Sequence, residues 1–193
     1  TWLILDKDID PNDSTKIQHI IKDMKLEILN NSVEDSSIII NGNNVTEEIR
    51  SPHITSIVSK VSSHQIVREA LTIQQKKFGI NGGIVAEGRD IGTTVFPQSD
   101  LKIFLTATIT ERAKRRLADL EQKGHMYRSI EDLKIEIKER DRMDMSRDIS
   151  PLIKASDAIE IITDGLSIQE VVEKILDLFR SKIPKEIWPS PKI

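Results

Sequence analysis

Cysteine is absent from the 193 residues. That excludes disulfides and thiolate chemistry, and it suits a protein of the cytoplasm. Aromatic residues make up only 4% of the chain, so any core must be aliphatic. No apolar stretch approaches the roughly 20 residues needed to span a bilayer. The opening Thr1-Trp2-Leu3-Ile4-Leu5 is too short for a signal segment and is followed at once by Asp6. An excess of basic charge is also lacking: 28 Lys and Arg stand against 31 Asp and Glu, a formal net charge of -3. That is not the balance of a nucleic-acid-coating protein, though a local basic pocket is allowed. The chain begins with Thr1 rather than Met, and truncation is the expectation.

What is present reads as an α/β domain. Residues 84–86, 101–105 and 159–162 are short, β-branched-rich runs bounded by Gly, Pro or Asp. They are expected to be buried strands, being too short for helices. Helical patterns near 109–120, 130–147 and 167–181 alternate with them, which predicts a parallel sheet covered by helices. The first third differs. Residues 25–31 and 37–41 read as strands joined by a polar turn, and Asn41-Gly42-Asn43 is a turn signal. Two helices follow, one from Ser51-Pro52 to Ser63 with Ile54, Ile57, Val58 and Val61 at helical spacing, the other from His64 to Phe78. The tail from Ile183, with three prolines in the last ten residues, is expected to be extended or disordered, with Trp188 able to dock it locally.

Two places carry charge where apolar residues would be ordinary. In the helix near 130–147, Ile130, Leu133 and Ile137 make an apolar stripe, and the same stripe continues as Arg140, Asp144 and Arg147. A bland alternative is a helix end leaving the core with solvated ion pairs. The functional alternative is a cavity wall with two cations for an anion and a carboxylate for hydroxyls. The second place is Ala86-Glu87-Gly88-Arg89-Asp90-Ile91-Gly92-Thr93, at the end of an expected strand, where open α/β sheets bind ligands. A tight turn with a capping Asp is the simpler account. Arg112, Arg115 and Arg116 cluster on another helix, where a solvated basic face is the default. The four histidines show no paired ligand spacing, so no metal site is expected from them. No G-x-x-x-x-G-K-[ST] phosphate loop occurs. The nearest spacing, Gly83 to Asp90, lacks the Lys and hydroxyl, and the residues between its glycines form the expected strand.

Several blocks, in order, resemble bacterial-type cytidylate kinases: NGNNVTEEIRSP (41–52), VSKVSSHQIVREAL (58–71), AEGRDIGTTVFP (86–97), LKIFLTA (101–107), IKERDRMDMSR (137–147) and GLSIQEVVEKIL (165–176). The resemblance implies a P-loop nucleoside monophosphate kinase that transfers the γ-phosphoryl group of ATP to CMP or dCMP with Mg²⁺. It implies a parallel sheet flanked by helices, an α+β monophosphate-binding insertion and a short lid. The expected layout is core helices in 1–24, the insertion in 25–80, core in 81–116, lid in 117–130, core in 131–182 and a tail in 183–193. By motif position, Ser59 and Arg68 are base-side contacts, and Asp90 reads the cytosine amine. Arg89 is a phosphate ligand, Arg140 and Asp144 are ribose contacts, and Arg147 reaches base and phosphate. Arg89 and Arg147 are the expected catalytic residues. Arg112, Arg115 and Arg116 are candidates for ATP-phosphate contacts near the lid.

The sequence departs from that family at its start. The family's first strand, phosphate loop and helix would precede Thr1, so the central strand and the ligands for ATP and Mg²⁺ are expected to be missing, and these residues alone to be inactive. The ending PKEIWPSP resembles tails of cyanobacterial members, where the kinase is often fused behind a pantoate–β-alanine ligase domain. Expected partners are CMP or dCMP and ATP, without nucleic acid or membrane, and a monomer when complete. Two other readings stay open: a non-catalytic CMP-binding or interaction module that has lost its ATP loop, and a sister kinase for another monophosphate.

Overall fold

The computed structural model describes residues 1–30, 36–122, 124 and 129–188, which form two compact units, 1–82 and 83–193. Residues 31–35 in the expected hairpin turn, Lys123 and 125–128 in the expected lid, and 189–193 in the tail lie outside the described residues.

The first unit opens with helices α1 (Trp2–Asp6) and α2 (Ser14–Lys22). Asp13 caps α2 by accepting a hydrogen bond from the Lys16 amide. Strands β1 (Leu26–Asn30), β2 (Ser36–Ile40) and β3 (Asn43–Asn44) form an antiparallel sheet in that order, with Leu26 opposite Ile40 and Ile40 opposite Asn43. The β2–β3 turn places Asn41 at φ 50° and Gly42 at φ 83°. A two-residue hairpin turn of type I′ needs positive φ at both positions, and Asn-Gly is the pair that adopts it most easily. Helix α3 (Pro52–Val61) starts at Ser51, whose hydroxyl accepts from the Ile54 amide, with proline in the first turn. Helix α4 (Gln65–Phe78) follows. Ile4, Ile17, Val61 and Val67 make the buried core, with Ile20, Ile57 and Leu71 packed against it. The core is aliphatic, as the scarcity of aromatics requires.

In the second unit, strands β4 (Ile103–Thr106) and β5 (Ile159–Ile162) pair in parallel, Ile103 opposite Ile159 through Thr106 opposite Ile162. A parallel pair needs a long crossover. Helices α5 (Ile109–Gln122) and α6 (Ile130–Met145) lie within this connection. They pack through Ala113, Leu120 and Leu133, with Leu117, Ile130 and Ile137 alongside. Helix α7 (Ile168–Lys182) begins at a reciprocal cap. The Ser167 hydroxyl accepts from the Glu170 amide, and the Glu170 carboxylate accepts from the Ser167 amide. Beyond α7, the Trp188 indole donates to the Ile183 carbonyl and packs against Phe179, the local docking expected of the tail.

One expected strand is not formed. Residues 84–86 belong to no strand, and Val85 is fully exposed. An extended run gains ladder hydrogen bonds only from a neighbouring strand, and among the described residues none lies beside it. The parallel sheet of the described residues therefore has two strands, and Leu105 and Ile162 on it remain largely exposed.

Candidate functional site

The charged continuation of the α6 stripe is the centre of the site. Ser129 starts the helix by accepting from the Asp132 amide at 3.1 Å. The first turns bury Leu133 against α5, and the last turn turns a carboxylate inward: Asp144 is 1% exposed. A buried carboxylate needs compensating charge. Asp144 receives it from three arginines. Arg147, whose side chain is 7% exposed, donates through Nη2 to Asp144 Oδ1. Arg89 Nε stands 2.8 Å from Oδ2, an ion pair without the alignment of a hydrogen bond. Arg140 Nε lies 3.7 Å from the same oxygen.

Asp141 makes a second bridge. Its Oδ1 accepts from Arg89 Nη1 at 3.2 Å, and its Oδ2 pairs with Arg112 Nη1 at 2.6 Å. Arg112 Nε also donates to the Ala107 carbonyl at 3.2 Å, which ties it to the start of α5. Four guanidinium groups thus share two carboxylates, a surplus of two positive charges. Unit charges about 4 Å apart interact by about 4 kcal/mol at an effective dielectric constant near 20. The aspartates therefore make this crowd of cations tolerable without neutralising it.

Arg140 shows the strain of that arrangement. Its Nε is buried and has no hydrogen-bond partner among the described residues. Burial, with the positive charges of Arg89 and Arg116 nearby, holds its pKa below the ordinary guanidinium value, against the pull of Asp144. An anion or hydroxyl acceptor placed here would relieve both costs.

The loop carrying Arg89 continues into a wide helical turn over Ile91–Val95. The Val95 amide donates to the Asp90 carbonyl and the Phe96 amide to the Ile91 carbonyl, five residues back in each case. Such π-type turns recur at functional sites. Asp90 is 8% exposed at the head of this turn. Gly88 is required by close approach: a Cβ there would lie 2.8 Å from Ile91 Cγ1.

The three α5 arginines part company. Arg112 joins Asp141. Arg115 donates to the Thr163 hydroxyl at 3.0 Å and the Thr163 carbonyl at 2.6 Å, and pairs with Glu111 at 3.0 Å. Arg116 contributes positive charge near Arg140. Asp164 beside Thr163 accepts from the Thr108 amide, so the end of β5 is fastened to the start of α5. Ser59 and Arg68 belong to the first unit. Ser59 is 5% exposed on α3, where pattern alone favours an exposed serine. Arg68 on α4 is half-buried and donates to the Ser62 carbonyl at 3.4 Å.

Arg89, Arg112, Arg140, Asp144 and Arg147 are thus brought into one network. Asp141 was missed by the stripe 130–133–137–140–144–147. The signal for it was available, because a step of four from Ile137 lands on 141 as readily as a step of three lands on 140. Thr163 carries no sequence signal as a partner of Arg115.

Comparison with known proteins gives this network its context. Residues 1–181 match the sequence pattern of the cytidylate kinase family. A bifunctional pantoate ligase/cytidylate kinase of Prochlorococcus marinus (strain NATL2A) is 58% identical over 191 residues, 99% of this chain and 37% of that protein. A protein of the same description from Synechococcus sp. (strain CC9902) is 47% identical over 192 residues, 100% of this chain and 40% of that protein. The resemblance to ligase–kinase fusions expected from the tail is met in these relatives, of whose length the chain spans well under half. With the family pattern running over nearly all of its described residues, this chain belongs to the cytidylate kinase family.

Proposed function

We propose that the arginine–aspartate network of the second unit binds the sugar and phosphate of CMP or dCMP, and that the protein phosphorylates this nucleotide from ATP. One observation carries the reading. Asp144, buried beneath three arginines, organises a site with two surplus positive charges and a buried Arg140 Nε that has no hydrogen-bond acceptor among the described residues. A phosphomonoester dianion has the matching charge.

In this reading Arg89 and Arg147 take the phosphate, Arg140 and Asp144 the ribose, and Asp90 the cytosine amine, with Ser59 and Arg68 on the base side. A carboxylate accepts from the exocyclic amine of cytosine. It would face the carbonyl of uracil acceptor to acceptor, leaving buried polar groups unpaired. The attacking CMP oxygen is already anionic, so no strong base is needed. It forms a bond to the γ-phosphorus of ATP as the bond to the β-phosphate oxygen breaks and ADP leaves. Alignment and charge neutralisation supply the catalysis, and arginine suits both through its planar fork.

ATP brings Mg²⁺ on its phosphates, which needs few protein ligands. No group of three His, Asp or Glu able to hold a metal occurs among the described residues, and none is assigned to Mg²⁺. The 193 residues contain no G-x-x-x-x-G-K-[ST] segment. By themselves they are therefore expected to bind CMP without phosphorylating it, which keeps a CMP-binding module as the alternative for this stretch alone.

The test is nucleotide choice by the protein as its gene encodes it. With ATP as donor and ADP release as readout, CMP and dCMP should be phosphorylated well ahead of UMP and AMP. Equal use of all four would overturn the assignment.

A further inference from the structure

We infer that Asp141 is a positioning residue that yokes Arg89 and Arg112 into one paired clamp for the transferring phosphoryl group. This rests on the kinase reading above and adds to it a residue that contacts neither nucleotide.

The geometry is that of a bridge. Each Asp141 oxygen takes a different arginine, Oδ1 holding Arg89 Nη1 at 3.2 Å and Oδ2 holding Arg112 Nη1 at 2.6 Å. The two arginines come from separate elements, the 86–93 loop and α5. Without a shared carboxylate they would repel each other. Asp144 cannot substitute, because its oxygens face Arg89, Arg140 and Arg147. Each bridged guanidinium has a contact at a second nitrogen: an ion pair of Arg89 Nε with Asp144 at 2.8 Å, and a hydrogen bond from Arg112 Nε to the Ala107 carbonyl at 3.2 Å. In both arginines Nη1 and Nε are therefore engaged, and neither Nη2 makes a hydrogen bond among the described residues. Two planar forks held at two points each, with the Nη2 amino group of each left to donate, make a preorganised pair of donors for an anion. Asp141 is 18% exposed, so solvent reaches the bridge only partly, and its charge acts at short range.

A group that aligns donors for the transition state, while others hold the substrate, affects turnover more than substrate binding. Asp141→Asn keeps the shape and removes the charge. In the protein as its gene encodes it, this change should lower kcat for CMP about 10- to 100-fold and change KM for CMP less than about 3-fold. In an Arg112→Ala background, Asp141→Asn should cost much less than in the wild type, because the yoked partner is already gone. Equal losses in both backgrounds, or a loss confined to KM, would overturn the inference. So would unchanged kinetics.

A readout without turnover separates this idea from the kinase reading. The Arg112 Nε–H group, followed by ¹⁵N relaxation, should be rigid in the wild type and mobile in Asp141→Asn at unchanged melting temperature. Equal mobility in the two proteins would refute the bridge even if CMP is phosphorylated. A rigid Arg112 in a protein that does not phosphorylate CMP would uphold the bridge and sink the kinase reading instead.

Discussion

Replacing Asp144 with alanine removes the one carboxylate that three arginines share. The largest loss is the pair with Arg147, because both side chains are buried, at 1% and 7% exposure. Breaking such a buried pair by removing one partner costs about 3–5 kcal/mol. Arg89 and Arg140 are about one-third exposed, so solvent screens them and each adds about 0–1 kcal/mol. A total of about 5 kcal/mol follows, which lowers the melting temperature of a chain this size by about 10–20 °C. Asp144→Asn keeps an acceptor and the volume, so its loss should be smaller. The assay is urea unfolding of a Trp2→Phe background. There Trp188, packed on Phe179 in the second unit, is the only tryptophan reporter. A midpoint for Asp144→Ala within about 1 kcal/mol of the parent would refute the view that Asp144 organises the cluster.

Acid should loosen the second unit through two exposed carboxyls. Asp164 is held below its ordinary value of 3.8 by hydrogen bonds from the Thr108 hydroxyl and amide, and Asp157 by its bond to the Lys102 ammonium. A lowered folded-state pKa means the stabilisation is complete above about pH 3.8 and is lost as pH falls through the folded values. Melting temperatures taken between about pH 5 and 2.5 should therefore fall less steeply in Asp164→Asn than in the parent, and identical slopes would count against the linkage. Gly88→Ala should cost about 1–3 kcal/mol and disturb the Arg89 loop, because the new Cβ would sit 2.8 Å from Ile91 Cγ1. Thermal melts and CMP calorimetry on that variant check both effects, and an unchanged melt would mean Ile91 moves aside freely.

Local elements were legible where a single stretch of chain contains its own reason. Helix α7 announces itself through Ser167 and Glu170 three residues apart, and Asn41-Gly42 marks a turn, though not the short strand β3 that follows it. The α6 stripe was legible as a candidate site, beside the plainer alternative of solvated ion pairs, because helical spacing puts Arg140, Asp144 and Arg147 on the face that buries Leu133. Residues 84–86 read as a buried strand because apolar, β-branched runs usually are. Pairing is a property of two segments, and an apolar run carries no mark of whether a neighbour is there. Arg115 shows the same limit. It looked equivalent to Arg112 on the helix, yet beyond its local pair with Glu111 it donates to Thr163, which lies 48 residues away in sequence.

From the residues alone came the alternation of helices and strands, the aliphatic core, the charged stripe and the likeness to a nucleotide kinase family. These rest on periodicity and short-range motifs, which a linear chain carries intact. Only the tertiary structure decided which arginine meets which aspartate. Asp141 becomes a bridge, and the surplus of positive charge is gathered in one place, when the 86–93 loop, α5 and α6 come within a few ångströms of one another. Electrostatic energy falls off with distance in space, and distance along the chain does not report it.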